Sequence, residues 1–295
     1  MELHSENQAL VSAPWLVERL GDPTLRIIHL LYEHDVDDYA QAHLPGALRW
    51  YWKDLLWQPV IREFADPTLV AERLGASGVR PTDTLVLYSG RAQYAMYGYW
   101  VLHTLNGHPD VRVLDGGLRH WTLSGYPTTT ERPVVDPVPY PPQRLVREDA
   151  TRVRRDDVLA GLGKPGRVLL DARHPDEYRG LRVKPAPGID HGAEAYGHIP
   201  GAVNLHARDL LDPDDYRVRP RAELEALFRA AGAAPDQADE VITYCRLGHR
   251  ASGLWFAATQ LLGWRHVRIY DGAWTEWGSS VGLPVEREPG LRTPR

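Results

Sequence analysis

Short apolar runs and amphipathic segments alternate along the chain. Apolar runs bounded by turn residues occur at residues 168–170, 240–244 and 267–270, and such runs are typical of buried β-strands. Residues 221–231 repeat apolar positions at helical spacing, and residues 250–262 form a second, more apolar helical segment. Strands that alternate with helices predict an α/β fold, in which a mainly parallel sheet is flanked by helices and binding groups lie at the carboxyl ends of the strands.

The chain repeats itself once. Three segments of the first half return in the second half, in the same order and at a nearly constant offset: residues 43–47 with 198–202, 84–89 with 240–245, and 114–117 with 270–273. We therefore expect two similar domains. Cys245 stands opposite Ser89 in this alignment, so only the second half carries the cysteine.

A proline-rich stretch separates the two halves. The chain has 295 residues, which fits two domains on the usual length prior. Because prolines resist both helix and central strand, we expect residues 136–145 to form a stiff linker. The predicted organisation is an N-terminal domain over residues 1–135, this linker, and a C-terminal domain over residues 146–295.

Charge and composition argue against several classes of partner. The formal net charge is -5, whereas a nucleic-acid-binding protein usually carries excess Lys and Arg. No stretch approaches the ~20 apolar residues that span a bilayer, and the sequence MELHSENQALVSAPW lacks the basic and apolar regions of a signal peptide. We therefore expect a cytoplasmic protein with neither a nucleic-acid nor a membrane partner.

Cys245 is the single cysteine, so it forms no intramolecular disulfide and lacks the paired thiolates of a typical zinc site. Its sequence context predicts a strand, a short loop and a helix that begins near Arg250. Loop amides and the helix N-terminus, with Arg246 and His249 nearby, would favour the nucleophilic thiolate, and Gly248 would let the loop turn. A buried, unreactive cysteine is the alternative interpretation.

These residues carry a family resemblance over nearly the whole chain. The matching segments are residues 170–173, 177–178, 197–202, 270–274 and 276–277, together with the Cys245 loop. The chain resembles the tandem-domain rhodaneses, the thiosulfate and mercaptopyruvate sulfurtransferases. The resemblance implies two rhodanese-like domains with the catalytic cysteine in the second, a double displacement through a Cys245 persulfide, and no metal or organic cofactor.

The resemblance also implies a substrate site around Cys245. Its candidate residues are Arg246, Leu247, Gly248, His249 and Arg250, with Asp171 and Arg173 in support. The basic loop favours thiosulfate as donor over mercaptopyruvate, which stays an alternative. In animal members an arginine occupies the position of Glu177, so the animal mode of donor binding is in doubt.

Neighbouring residues have competing interpretations. Asp171 would either orient the loop arginines or cap a turn. His198 and Asp271 recur in the half without a cysteine, as His43 and Asp115, so we expect structural roles for them. The sequence leaves open whether an insertion at residues 181–196 covers the site.

The partners implied are a small-molecule sulfur donor and a thiophilic acceptor such as cyanide or a thiol, with a protein acceptor as a further candidate. A phosphatase of the dual-specificity cell-cycle type is disfavoured, because its loop needs five residues between cysteine and arginine and this chain has four. A non-catalytic rhodanese-like regulatory or sulfur-binding module is the alternative of another class.

Overall fold

A computed structural model describes residues 9–32, 38–143, 148–185 and 189–290. The chain divides into two compact units. The first comprises Met1–Glu148 with Asp212–Val218, and the second comprises Asp149–Leu211 with Arg219–Arg295.

The first unit contains one five-stranded sheet in its described residues. The strands are Leu10–Val11 (β1), Leu25–Leu31 (β2), Leu48–Tyr51 (β3), Thr84–Tyr88 (β4) and Val111–Leu114 (β5), in the order β1-β5-β4-β2-β3. The helices are Ala13–Val17 (α1), Asp38–Gln41 (α2), Trp52–Leu56 (α3), Pro67–Ala76 (α4), Ala92–Tyr99 (α5) and Gly117–Leu123 (α6). A π-helical segment, Trp100–Leu105, continues α5.

The second unit repeats this topology. Its strands are Arg152–Val153 (β6), Arg167–Asp171 (β7), Val203–Asn204 (β8), Glu240–Tyr244 (β9) and Val267–Tyr270 (β10), in the order β6-β10-β9-β7-β8. The helices are Glu148–Thr151 (α7), Arg155–Ala160 (α8), Pro175–Arg179 (α9), Arg221–Ala230 (α10), His249–Phe256 (α11) and Ala273–Trp277 (α12). A 3₁₀ helix spans Ala207–Leu210, and a π-helical segment, Ala257–Leu261, continues α11.

All strand pairs within the two described sheets are parallel, which confirms the predicted α/β fold with two parallel sheets. The strands at the centre of each sheet are apolar because helices cover both faces. In the second unit the apolar core includes Ile242 and Tyr244 of β9 with Trp274 and Trp277 of α12. This core holds the carboxyl end of β9, where Cys245 follows.

The helix predicted over residues 221–231 is α10, and it buries Leu224 and Phe228 as its apolar spacing requires. The helix predicted over residues 250–262 begins one residue earlier, and its last turns are π-helical. Among the helices of the described ranges, none has the length and apolar character needed to cross a bilayer.

The proline-rich stretch packs on the first unit. Residues 130–143 contain neither helix nor strand. Val138 N–H donates to the Gly75 carbonyl at 2.9 Å, and the Tyr140 hydroxyl lies 2.7 Å from His108 Nδ1. The last two residues of the linker predicted over residues 136–145 lie outside the described ranges.

A segment from the second half of the sequence also packs within the first unit. Val218 N–H donates to Asp115 Oδ1 at 2.8 Å, and Arg119 Nε donates to the Asp214 carbonyl at 2.5 Å. The prediction of a C-terminal domain over residues 146–295 did not include this arrangement.

Candidate active site

Cys245 lies in the loop between β9 and α11 and is almost fully buried, with 1% of its surface exposed. Gly248 N–H donates to Cys245 Sγ at 3.1 Å. Gly248 adopts φ 100°, a left-handed conformation that disfavours side chains with a Cβ. The glycine therefore turns the loop back so that a backbone donor faces the sulfur.

The backbone of the loop is fixed by α12. Trp274 N–H donates to the Cys245 carbonyl at 2.9 Å, and Thr275 N–H donates to the Arg246 carbonyl at 3.1 Å. The preceding residue, Ala273, is buried and adopts φ 57°, an unfavourable conformation for a residue with a Cβ. Strain of this kind persists only where the surroundings hold the chain, and it is frequent at functional sites.

A buried ion pair joins the loop helix to α9. The Arg250 guanidinium donates to both carboxylate oxygens of Glu177, at 2.5 and 2.9 Å, and Glu177 is completely buried. Burial alone would lower the pKa of Arg250, but the charge and hydrogen bonds of Glu177 outweigh burial and raise the pKa. Arg250 therefore carries its charge within the site and has a dedicated carboxylate partner.

Asp171 binds a different arginine from those of the loop. Asp171 and Arg173 are both fully buried, and Arg173 Nη2 lies 2.6 Å from Asp171 Oδ2 and donates to the Gly197 carbonyl at 2.6 Å. The guanidinium also lies 4.4 Å above the Trp274 ring. Asp171 thus holds Arg173 against α12, and the carboxylate that binds a loop arginine is that of Glu177.

Arg246 is half-buried and has a different environment. Among the described residues, no carboxylate pairs with its guanidinium, whereas Arg173 and Arg250 each have one. Arg246 Nη1 lies next to Gly192, since a Cβ built on that glycine would be 2.7 Å from it. Of the two loop arginines, Arg250 therefore has a carboxylate partner and Arg246 has none among the described residues.

The remaining loop residues have distinct positions. Leu247 is half-buried, and His249 is buried as the first residue of α11. The His249 carbonyl accepts a hydrogen bond from the Ser252 hydroxyl at 2.6 Å. This hydrogen bond lies within the first turn of α11.

The described part of the 181–196 insertion lies beside the loop. Ala195 N–H donates to the Gly278 carbonyl at 2.8 Å, and Trp274 Nε1 donates to the Ala195 carbonyl at 3.1 Å. Together with Gly192 beside Arg246, these contacts place the insertion along one side of the Cys245 loop. Residues 186–188 lie outside the described ranges.

His198 and Asp271 are bound to the fold. His198 Nδ1 lies 2.8 Å from the Tyr178 carbonyl, and the two rings stack at 3.8 Å. Asp271 accepts hydrogen bonds from the buried Arg152 guanidinium at 2.7 and 3.2 Å. Both residues hold neighbouring elements together, as their recurrence in the other half leads one to expect. In the described part of the chain, no cluster of three or more His, Cys, Asp or Glu side chains is arranged to hold a metal ion.

Sequence reasoning missed the role of Glu177. The spacing from His174 to Glu177 matches a capping box, and His174 N–H indeed donates to Glu177 Oε2 at 3.1 Å. This spacing is the sequence feature that singles out Glu177, but it predicts the start of a helix and not an ion pair with Arg250 of α11.

The chain is similar to known proteins over nearly its whole length. The model of the rhodanese-like domain matches residues 12–124 and 154–280. "Sulfur carrier protein TtuD" of Thermus thermophilus is 36% identical over 291 residues, covering 96% of this chain and 98% of that protein. "Putative thiosulfate sulfurtransferase SseA" of Mycobacterium tuberculosis is 38% identical over 295 residues, covering 99% of this chain and 95% of that protein.

A solved structure extends the comparison. The anaerobic ergothioneine biosynthesis enzyme from Chlorobium limicola, in complex with its natural substrate trimethyl histidine, superposes with a TM-score of 0.81 and 25% identity, covering 95% of this chain and 70% of that one. With two matched domains and relatives of this similarity along its whole length, the chain belongs to the rhodanese-like domain family.

Proposed function

We propose that the protein is a sulfurtransferase that moves the outer sulfur of thiosulfate to cyanide or a thiol through a persulfide on Cys245. The observation that carries the proposal is the hydrogen bond from Gly248 N–H to Cys245 Sγ, at the start of α11. A donor aimed at this sulfur favours its anionic forms, thiolate and persulfide alike. The names of the relatives, sulfur carrier and thiosulfate sulfurtransferase, agree with this chemistry.

In the first half-reaction, the Cys245 thiolate attacks the outer sulfur of thiosulfate. A sulfur–sulfur bond forms to Cys245 as the bond within thiosulfate breaks, and sulfite leaves with the bonding electron pair. The outer sulfur becomes the terminal sulfur of a Cys245 persulfide. The amides of residues 246–250 and the helix N-terminus would stabilise its negative charge.

Arg246 would attract and orient the anionic donor, because its guanidinium has no carboxylate partner among the described residues. The sequence predicted that Arg250 shares this role, but both terminal nitrogens of its guanidinium donate to the Glu177 carboxylate. We therefore assign Arg250 mainly to the first turn of α11, with His249. Leu247 and Gly248 would contribute their backbone N–H groups to the binding of the anionic sulfur. Asp171 would hold Arg173 against Trp274 of α12.

In the second half-reaction, the acceptor attacks the terminal sulfur of the persulfide and Cys245 leaves as thiolate. Cyanide yields thiocyanate, and a thiol yields a new persulfide. Cys245 is 1% exposed, so the attacking atom must be small or carried on a narrow group. A protein acceptor would have to present its sulfur on such a group.

The test is thiocyanate formation from cyanide, with thiosulfate and mercaptopyruvate as donors in parallel assays. We expect thiosulfate to be the better donor, and Arg246→Gln to lower its kcat/KM about tenfold, by analogy with the loss of one charge-assisted hydrogen bond. The matched control is Arg265→Gln, in the turn before β10. A preference for mercaptopyruvate would contradict the donor assignment, and failure with both donors would favour a binding module.

A further inference from the structure

The connection that follows α9 in the second unit is longer than the one that follows α2 in the first. Ala42 alone separates α2 from His43, whereas residues 180–197 separate α9 from the equivalent His198. The additional chain is the 181–196 insertion. It therefore belongs to the unit that carries the candidate active site.

One glycine of this insertion contacts an arginine of the Cys245 loop. A Cβ built on Gly192 would be 2.7 Å from Nη1, 3.8 Å from Cζ and 3.9 Å from Cδ of Arg246. The end of the Arg246 side chain thus lies across Gly192, in space that a larger residue would fill. Gly192 also adopts φ 115°, a backbone conformation that residues with a Cβ rarely adopt.

The backbone is anchored on both sides of Gly192. Before it, Asp190 Oδ1 accepts hydrogen bonds from the two N–H groups of residues 183–184, both at 2.9 Å. After it, the Gly278 carbonyl accepts from the two N–H groups of residues 194–195, at 3.2 and 2.8 Å. Because the backbone is held and the guanidinium ends a flexible side chain, a larger residue at position 192 would displace the guanidinium.

The helix α12 holds the insertion and the Cys245 loop together. Trp274 Nε1 donates to the Ala195 carbonyl of the insertion at 3.1 Å. Thr275 N–H donates to the Arg246 carbonyl of the loop at 3.1 Å. The two segments that meet at Gly192 are therefore both bound to the same helix.

We propose that Gly192 is a positioning residue for Arg246, which keeps the guanidinium where it binds the negative charge of the sulfur donor. The inference rests on the proposed function and deepens it, because it makes the insertion part of the selection of anionic donors over uncharged ones. Among the described residues no carboxylate pairs with the Arg246 guanidinium, whereas Arg250 has Glu177. Packing against Gly192 takes the place of such an ion pair in fixing Arg246.

Two alkylating reagents separate this role from a general effect on the loop. Iodoacetate and iodoacetamide are similar in size and both react with the Cys245 thiolate, but only iodoacetate carries a negative charge. A change in the pKa or the exposure of the thiol alters both rates by the same factor, whereas displacement of Arg246 slows iodoacetate alone. The ratio of the two rate constants therefore reports the position of the guanidinium.

The experiment follows alkylation of the full chain by intact mass at pH 7, in the parent, Gly192→Ala, Arg246→Gln and the double variant. We expect the ratio of the iodoacetate to the iodoacetamide rate constant to fall about threefold or more in Gly192→Ala and about tenfold in Arg246→Gln. The double variant should have the ratio of Arg246→Gln alone, because no guanidinium remains to be displaced.

The matched control is Gly263→Ala, since Gly263 also has a positive φ but faces open space, and it should leave the ratio unchanged. If Gly192→Ala does not fold, Gly192→Asn is measured instead, because asparagine tolerates positive φ more readily. An unchanged ratio in the variant of Gly192, or a further fall in the double variant, would overturn the positioning role.

Failure of the proposed function gives a different result. A parent protein that gains no sulfur from thiosulfate would overturn the proposed function, whereas the alkylation ratios would still show whether Gly192 positions Arg246. An unchanged ratio in Arg246→Gln would overturn the role of Arg246 towards anions, and with it the role of Gly192.

Discussion

The two units share one skeleton but differ at the strand ends where chemistry would occur. In the first unit Leu44 N–H donates to the Tyr88 hydroxyl at 3.1 Å, and in the second Ile199 N–H donates to the Tyr244 hydroxyl at the same distance. His43 stacks on Tyr39 at 3.7 Å as His198 stacks on Tyr178 at 3.8 Å. Duplication has therefore preserved the aromatic contacts that hold the fold.

The loops after the central strands differ. Ser89 Oγ accepts a hydrogen bond from Arg91 N–H at 3.4 Å, whereas Cys245 Sγ accepts from Gly248 N–H at 3.1 Å. The residue before α5 is Arg91 in an extended conformation, and the residue before α11 is the left-handed Gly248. The loop that turns back on its nucleophile is the one that carries the cysteine.

The neighbouring strand differs in charge. His29 pairs in register with Tyr88, and Asp171 pairs in register with Tyr244. His29 is buried, and burial together with His43 and Arg49 lowers its pKa to about 3, so this position is neutral in the first unit. Two residues later, Leu31 stands where the second unit has Arg173. The buried pair of Asp171 and Arg173 lies in the unit with the cysteine, and the neutral His29 and the apolar Leu31 stand at the same positions of the other unit.

The largest expected effect comes from replacing Cys245 by serine and then placing a cysteine at the position of Ser89. Cys245→Ser should reduce thiocyanate formation from thiosulfate to the uncatalysed background, because a serine alkoxide is not accessible near neutral pH. Ser89→Cys in that background should not restore activity, since the first loop lacks the glycine turn. Restored activity would show that a thiol at either strand end suffices.

Breaking the buried ion pair should have the next largest effect. Glu177→Gln leaves the Arg250 charge without its counter-charge, and we expect the free energy of unfolding to fall by about 3 kcal/mol. The control is Glu223→Gln, which breaks the exposed pair with Arg219 and should cost less than about 1 kcal/mol. Urea unfolding measures both variants, and equal losses would refute the distinction between buried and exposed pairs.

Replacing the turn glycine should sharpen the comparison of the loops. Gly248→Ala imposes a Cβ at φ 100°, at an expected cost of about 1–2 kcal/mol in unfolding free energy, and should slow persulfide formation by moving the amide from the sulfur. Gly263→Ala is the control, since Gly263 also has a positive φ but faces open space. Gly263→Ala should lose a similar amount of unfolding free energy and form the persulfide at the parent rate. If it also formed the persulfide more slowly, the effect of Gly248→Ala would be due to lost stability and not to the position of the amide.

Near neutral pH, the smallest expected effect is that of acid on His29. Its pKa is lowered from 6.5 to about 3 in the folded protein, so its contribution to stability is fully present above pH 6.5 and is lost as the pH falls towards 3. Relative to the parent, His29→Phe should therefore gain about 1 kcal/mol in unfolding free energy for each pH unit below 6.5. A difference independent of pH, in denaturant unfolding from pH 4 to 7, would contradict a neutral buried imidazole.

The sequence predicted the features that depend on local or repeated patterns. The internal repeat indicated two similar domains, the apolar runs marked β7, β9 and β10, and the context of Cys245 indicated a strand, a loop and a helix. Each of these features depends on neighbouring residues or on a match between the two halves, so a single sequence is enough to predict it.

The choice of partners could not be predicted in this way. Glu177 and Arg250 lie far apart in the sequence, and their contact depends on how α9 and α11 pack. Asp171 was predicted either to orient the loop arginines or to cap a turn, but in the structure it binds Arg173. Arg173 also contacts Gly197 and Trp274, which lie far from it in the sequence. Buried charged residues do not recur at a regular spacing as apolar residues do. A sequence pattern can therefore select candidate charged residues, but it cannot show which of them form ion pairs.

The most direct test of a persulfide on Cys245 is the intact mass of the parent protein and of Cys245→Ser after treatment with thiosulfate alone. We predict that the parent gains one sulfur atom, releases an equal amount of sulfite and loses the added mass on addition of cyanide, while Cys245→Ser gains none. A parent protein whose mass is unchanged by thiosulfate, or a serine variant that still gains sulfur, would contradict the persulfide on Cys245.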